Sequence, residues 1–257
     1  NHIIPNLDDG SKSIEMSLNM LREAESQGIT EVVNTIHYQH PKMDKKNTSF
    51  QFVIDEVKKM EEIAIQNGIN IKIHPASEVF FQFNLTDIID NPITTIGNGK
   101  YMLIEFQTLS FPDNYEKSIF ALQSNGVTPI IAHPERYRYV QNNIEIVRKW
   151  IQRGYVVQID CGSILGHFGN MTKECAVKLM NSGLFHLLGS DSHNDKKRNF
   201  CLKEALDICE GIIGCENIEI LNLNPQNILK GKECINLNIN NYNQNFSLWS
   251  KIKKIIK

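Results

Sequence analysis

Acidic and imidazole side chains recur along this chain, each a short step beyond an apolar run. His37 follows Val32–Ile36, Glu78 follows Ile71–His74, and Glu105 follows Tyr101–Ile104. His133, Glu135 and Arg136 follow Thr128–Ala132, Asp160 follows Tyr155–Ile159, and Asp191 and His193 follow Leu187–Gly189. His2, Asp8 and Asp9 stand at the start. One such residue beside a strand is more often a local hydrogen bond than a ligand. The set differs, because each buried charge costs free energy unless it is paired or metal-bound. So many imidazoles and carboxylates at one place exceed what a single ion accommodates, and bridging carboxylates imply two to three divalent metal ions. With no thiolate among them, the donors suit Mn²⁺, Fe²⁺, Zn²⁺ or Mg²⁺. Neighbouring metals can activate water and neutralise a transferring phosphoryl group. Arg136 and Arg198 carry guanidinium forks suited to a phosphate dianion, the alternative for each being a surface or ion-pair role and, for Arg198, a solvated Lys196-Lys197-Arg198 loop. The chemistry predicted is metal-dependent phosphoester hydrolysis.

The elements that must position these residues follow a repeated pattern of β-branched run, polar turn and helix. The runs are Glu31–Ile36, Ile69–Ile73, Tyr101–Ile104, Thr128–Ala132, Tyr155–Ile159 and Phe185–Leu188. Helices are predicted over Ile14–Gln27, Phe50–Gln66, Glu116–Asn125, Ile144–Arg153 and Cys175–Ser182, ending at Gly28, Gly68, Gly126, Gly154 and Gly183. Alternating β/α units with polar residues after nearly every strand favour a barrel whose βα loops ring one site. Asn1-His2 has no apolar run before it, so a first strand is expected to be missing.

With 257 residues, 41% hydrophobic and 22% charged, the chain is long enough for one large α/β domain. A formal net charge of −2 gives no reason to expect nucleic acid as partner. No apolar run approaches a membrane span and no signal peptide is visible, so a cytoplasmic protein is expected. The six cysteines show no CxxC pair and are expected to be reduced and buried. The catalytic barrel is predicted over 1–233, followed by 234–257, an Asn-rich linker and a lysine-rich segment from Phe246. That tail could touch a partner or a membrane surface, at which the protein would be peripheral, or be a frayed or loosely docked terminal helix.

His2-Ile-Ile-Pro-Asn-Leu-Asp-Asp-Gly10, Thr35-Ile-His37, Ser77-Glu78, Ile104-Glu105-Phe106, Ala132-His-Pro-Glu-Arg-Tyr137 and Ser190-Asp-Ser-His193 resemble the motifs of the PHP superfamily. More narrowly they resemble the CpsB/CapC-type capsule-biosynthesis protein tyrosine phosphatases, from His2 to about Pro225. The resemblance implies a distorted (β/α)7 TIM-like barrel with a trinuclear, usually manganese, site. Its ligands would be His2, Asp9, His37, Glu78, Glu105, His133, Asp191 and His193, with Arg136 and Arg198 holding the substrate phosphate. It further implies direct attack by a metal-bridging hydroxide on phosphotyrosines in the tail of a bacterial tyrosine autokinase that controls polysaccharide export.

The chain departs from that family at two places. Only the second histidine of the opening His-x-His is present, as His2, and Asp160-Cys161 stands where relatives tend to have Asn-Ala. Two other readings stay open: a small-molecule phosphatase of the histidinol phosphate kind, and a metal-impaired regulatory protein that docks on a kinase or export complex. The sequence does not specify an oligomeric state.

Overall fold

The computed structural model describes residues 1–43 and 49–239. Six parallel strands pair in chain order: β1 (Glu31–Tyr38), β2 (Lys72–Phe80), β3 (Tyr101–Glu105), β4 (Thr128–Ala132), β5 (Val156–Asp160) and β6 (Leu187–Gly189). Helices α1 (Ile14–Ser26), α2 (Phe50–Gln66), α3 (Tyr115–Ser124), α4 (Arg138–Asn142), α5 (Glu145–Gln152), α6 (Cys161–Leu165) and α7 (Asn170–Asn181) lie among them. Two more, α8 (Leu202–Ile213) and α9 (Cys215–Leu229), follow β6. The architecture is α/β, a parallel sheet curled into a half-barrel. Helices α1, α2, α3, α5 and α7 each give way to a glycine, Gly28, Gly68, Gly126, Gly154 or Gly183, at φ between 64° and 82°. An L side chain would be strained there, so these glycines let the chain turn back towards the sheet.

Alternation along the strands separates two apolar layers. Met102 and Ile104 of β3, Ile131 of β4 and Val157 and Ile159 of β5 face the helices and join the large core with Met20, Leu21, Trp150 and Leu179. Tyr101, Leu103, Ile130, Ala132, Val156 and Leu187 face the other way and form a second cluster, with Ile228 of α9. In register, Leu103 lies beside Glu78 on one strand and Ile130 on the next, and Ile130 lies beside Val156. The concave face thus has an apolar floor with the acidic residues set above it.

Strands β1 and β6 are the two edges of the sheet, and the start of the chain links them. The Thr35 amide donates to the Asn1 carbonyl at 2.7 Å, and the His2 amide donates to the Ser192 carbonyl at 2.9 Å. Residues 234–239 lie against β6 and α9: Asn224 accepts from the Ile235 amide, and Asn217 accepts from the Asn238 amide. The lysine-rich segment from Phe246 lies outside the described residues.

Three sequence expectations are corrected. β2 is not Ile69–Ile73 but Lys72–Phe80, so Glu78 sits within a strand rather than after it. Its Pro75, Ser77 and Glu78 interrupt the apolar signal, yet pairing with β1 over eight positions overrides that local preference. Helix α7 begins at Asn170 rather than Cys175, its polar first turn lacking the apolar period, and α8 and α9 add two helices to those the pattern predicts. In α9, Pro225 and several asparagines mask the helical period. Among the described residues no helix is long and apolar enough to cross a membrane.

Leu103 is 5% exposed in the floor below Glu78. Leu103→Ala should lower stability by about 2–5 kcal/mol, seen as a lower urea midpoint with an unchanged slope.

Candidate metal centre

The site begins at the chain start, in a turn closed on itself. The Ser11 amide donates to the His2 carbonyl at 3.0 Å, and the Asn6 amide donates to the Ser11 carbonyl at 2.8 Å. A Cβ at Gly10 would stand 2.2 Å from the His2 carbonyl oxygen and 2.4 Å from the His2 Cβ, so only glycine admits this approach. Asp8 accepts from the Gly10 amide, and its second oxygen lies 2.6 Å from His2 Nδ1. That oxygen also accepts from the His37 amide at 3.1 Å, tying the turn to β1. With Nδ1 engaged by Asp8, His2 turns Nε2 toward Glu78 (3.4 Å) and Asp191 (3.3 Å).

Parallel pairing supplies the next donors. His37 is in register with Glu78, and Phe80 with Glu105. Residues two apart on a strand share a face, so His37, Glu78 and Glu105 all point to the concave side. His133 Nε2 is 3.0 Å from Glu78 and 3.8 Å from Glu105. Asp9 comes within 3.4 Å of both His37 Nε2 and His193 Nε2. His133 and Asp191, just past β4 and β6, have φ of 31° and 43°. Side-chain-bearing residues rarely adopt this backbone, and such strain is held at sites by surrounding structure.

Three groups draw their potential ligand atoms within 4.8 Å of one another: His2, Asp9, His37 and His193; His2, Glu78 and Asp191; and His37, Glu78 and Glu105. They share His2, His37 and Glu78. Glu105 Oε2 and His133 Nδ1 are buried without a hydrogen-bond partner among the described residues. Such atoms are costly unless a ligand meets them, and oxygen and imidazole donors without thiolate fit hard-to-borderline divalent ions.

The electrostatics reflect the crowding. Burial opposes charge on His2, but the Asp8, Asp191 and Glu78 carboxylates hold its pKa well above the ordinary range. Burial would raise Glu78; donation by His133 and His2 brings it well below the usual carboxylate range instead. Glu105 goes the other way, pushed up to about 7 by burial and by the neighbouring charge of Glu78.

Arg136 and Arg198 share one carboxylate oxygen, Asp191 Oδ2, at 2.8 and 2.7 Å. Arg136 also pairs with Asp160, whose other oxygen accepts from the Gly162 and Ser163 amides and caps α6. Asp160 therefore bonds to backbone and to Arg136. A cavity of about 160 Å³ is lined by Asp9, His37, Glu78, Glu105, His133, Asp191 and His193, and by both arginines. His2 lies just beneath, fully buried. Every candidate ligand and both arginines thus come together. His40, Lys42 and Met43 also line the cavity, with the His40 ring 4.8 Å from that of His37. Sequence reasoning missed Asp8 as the partner that orients His2, although it stands in the Asp-Asp-Gly motif. It also missed Phe168, whose ring lies against Arg136 and which no motif marks.

The family model for capsular polysaccharide synthesis, CpsB/CapC, matches residues 1–230. The chain belongs to the CpsB/CapC family. It is 32% identical over 80% of its length to a putative tyrosine-protein phosphatase CapC of Staphylococcus aureus, covering 80% of that protein. It is 31% identical to the tyrosine-protein phosphatase YwqE of Bacillus subtilis, over 90% of each chain. It is 27% identical to the tyrosine-protein phosphatase CpsB of Streptococcus pneumoniae, over 89% of this chain and 96% of that one. A crystal structure from work on YwqE and CpsB, described as metal-dependent tyrosine phosphatases, superposes with a TM-score of 0.85 at 29% identity. It covers 91% of this chain and 94% of that one.

Gly10→Ala should displace His2, weaken metal binding at least about tenfold and lower the metal bound per chain, as measured by titration and elemental analysis. A metal must also displace protons here. His2, His37 and His133 are held above their ordinary range, and Glu105 keeps a proton below about 7. Apparent metal affinity should therefore fall as pH drops through 7, and uptake should release protons. Calorimetry of Mn²⁺ binding in buffers of different ionisation enthalpy reads both effects.

Proposed function

We propose that this chain is a metal-dependent phosphotyrosine-protein phosphatase acting on a bacterial tyrosine autokinase of capsule or exopolysaccharide export. One observation carries the reading: three overlapping carboxylate–imidazole groups and a pair of guanidiniums share one cavity, with Asp191 common to both sets. The named activities of the relatives support it, as does the 0.85 TM-score to a structure described as metal-dependent.

His2, Asp9, His37, Glu78, Glu105, His133, Asp191 and His193 would hold two to three divalent ions, with Mn²⁺ our choice among those the donors suit. When bound, such ions activate water near neutral pH and stabilise charge on a transferring phosphoryl group. Arg136 and Arg198 would bind and orient the phosphate: their Nε–H groups are buried without an acceptor among the described residues. Asp8 would keep His2 in its working tautomer through the 2.6 Å contact to Nδ1.

The seven-stranded closure of the barrel is part of the same proposal. Asn1 and His2 hydrogen-bond to β1 on one side and to the segment after β6 on the other, where a further strand between those edges would run. Residues 1–233 would form the catalytic unit, and the lysine-rich segment from Phe246 would bring it to an anionic membrane surface.

Phosphate release from a phosphotyrosine peptide should require Mn²⁺ and vanish in EDTA. Arg136→Lys should lower kcat/KM by roughly 10- to 1000-fold, since an ammonium does not reproduce the fork. Hydrolysis of histidinol phosphate but not the peptide would overturn the protein substrate, and no hydrolysis at full metal loading would overturn the enzyme.

A further inference from the structure

Strand β5 ends at Asp160 and turns directly into α6. Gly166 ends that helix at φ 91° and Gly169 redirects the chain at φ 87°, leaving His167 and Phe168 on a tight loop between them. The half-buried Phe168 ring lies against both phosphate-site arginines: its centroid is 3.9 Å from Arg136 Cζ and 5.5 Å from Arg198 Cζ. The ring is seated on α6, where a Cβ at Gly162 would stand 3.0 Å from Phe168 Cε2.

Arg136 is thus held on three sides. Asp160 and Asp191 take its edge, and Phe168 takes its face. The need for such a hold is physical, since two guanidiniums drawn to one carboxylate oxygen repel each other. A third carboxylate could restrain them, but its charge would oppose a phosphate dianion. An aromatic face attracts cations through its quadrupole and adds no net charge.

We propose that Phe168 is a positioning residue for phosphate binding, fixing the plane of Arg136 and keeping Arg198 close to it while Asp160 anchors the Arg136 edge. The assignment rests on the reading of these two arginines as the phosphate ligands.

The test uses the full chain loaded with Mn²⁺, as wild type, Phe168→Leu, Phe168→Tyr, Arg136→Ala and the Arg136→Ala/Phe168→Leu double variant. Inorganic phosphate affinity is measured by calorimetry, alongside KM and kcat for a phosphotyrosine peptide and metal per chain. Phe168→Leu should weaken phosphate binding and raise KM together, by roughly three- to tenfold for a half-buried contact, with a smaller change in kcat. Metal content should stay at the wild-type value, Phe168→Tyr should restore binding, and Phe168→Leu should cost much less in the Arg136→Ala background, where only the 5.5 Å contact to Arg198 remains. Unchanged phosphate affinity in Phe168→Leu overturns the proposal, as does a loss that persists undiminished without Arg136 or that tyrosine fails to rescue. Loss of bound metal or of folded protein in Phe168→Leu overturns it as well, because the ring would then be part of the scaffold. If the wild type binds phosphate without hydrolysing the peptide, the functional reading fails, and the phosphate cycle alone decides Phe168.

Discussion

The rest of the structure is organised around a concentration of buried charge. His2, Glu78, His133, Asp191 and His193 are each less than one-tenth exposed and lie within a few ångströms of one another. In a bare protein interior such a group would be neutralised or expelled. Here carboxylates and imidazoles alternate, so that most close contacts are between opposite partners. Glu105 is the exception, with a pKa pushed up to about 7.

Holding this arrangement requires rigidity from elements that carry no chemistry. The apolar floor of Leu103, Ile130, Val156 and Leu187 supports the acidic layer from below. Parallel register sets His37 beside Glu78 and places Glu105 on the same face. The strained backbones of His133 and Asp191 aim their side chains inward, and the helical shell keeps them there. Gly10 plays the corresponding part at the chain start, where any side chain would collide with His2. The candidate donors therefore come both from the ends of strands, at His37, Glu78 and Glu105, and from the loops beyond them, at His133, Asp191 and His193.

Asp191 joins the two halves of the site. One oxygen faces His2 and the metal-type cluster, while the other receives both arginines. The imidazole–carboxylate cluster and the guanidinium pair thus share a carboxylate, so a change that moves Asp191 reaches both.

Much of this was legible in the sequence. Helix-then-glycine punctuation and the spacing of His37, Glu78, Glu105, His133 and Asp191 revealed the β/α repeat and one set of donors, because strand period and helix capping are local properties. The true extent of β2 was hidden, since its polar residues are tolerated only through pairing with β1. Asp8 could be read as an acid near His2, but its selection of Nδ1 depends on the fold of the turn. Asp160 and Phe168 lie 24 and 32 residues beyond the Arg136 they hold, and these contacts follow no period. Sequence alone determined which residue types could bind metal and phosphate and on which repeating elements they ride. Only the tertiary structure decided which atoms meet, because contacts between loops of different strands depend on the curvature of the sheet and not on any local preference.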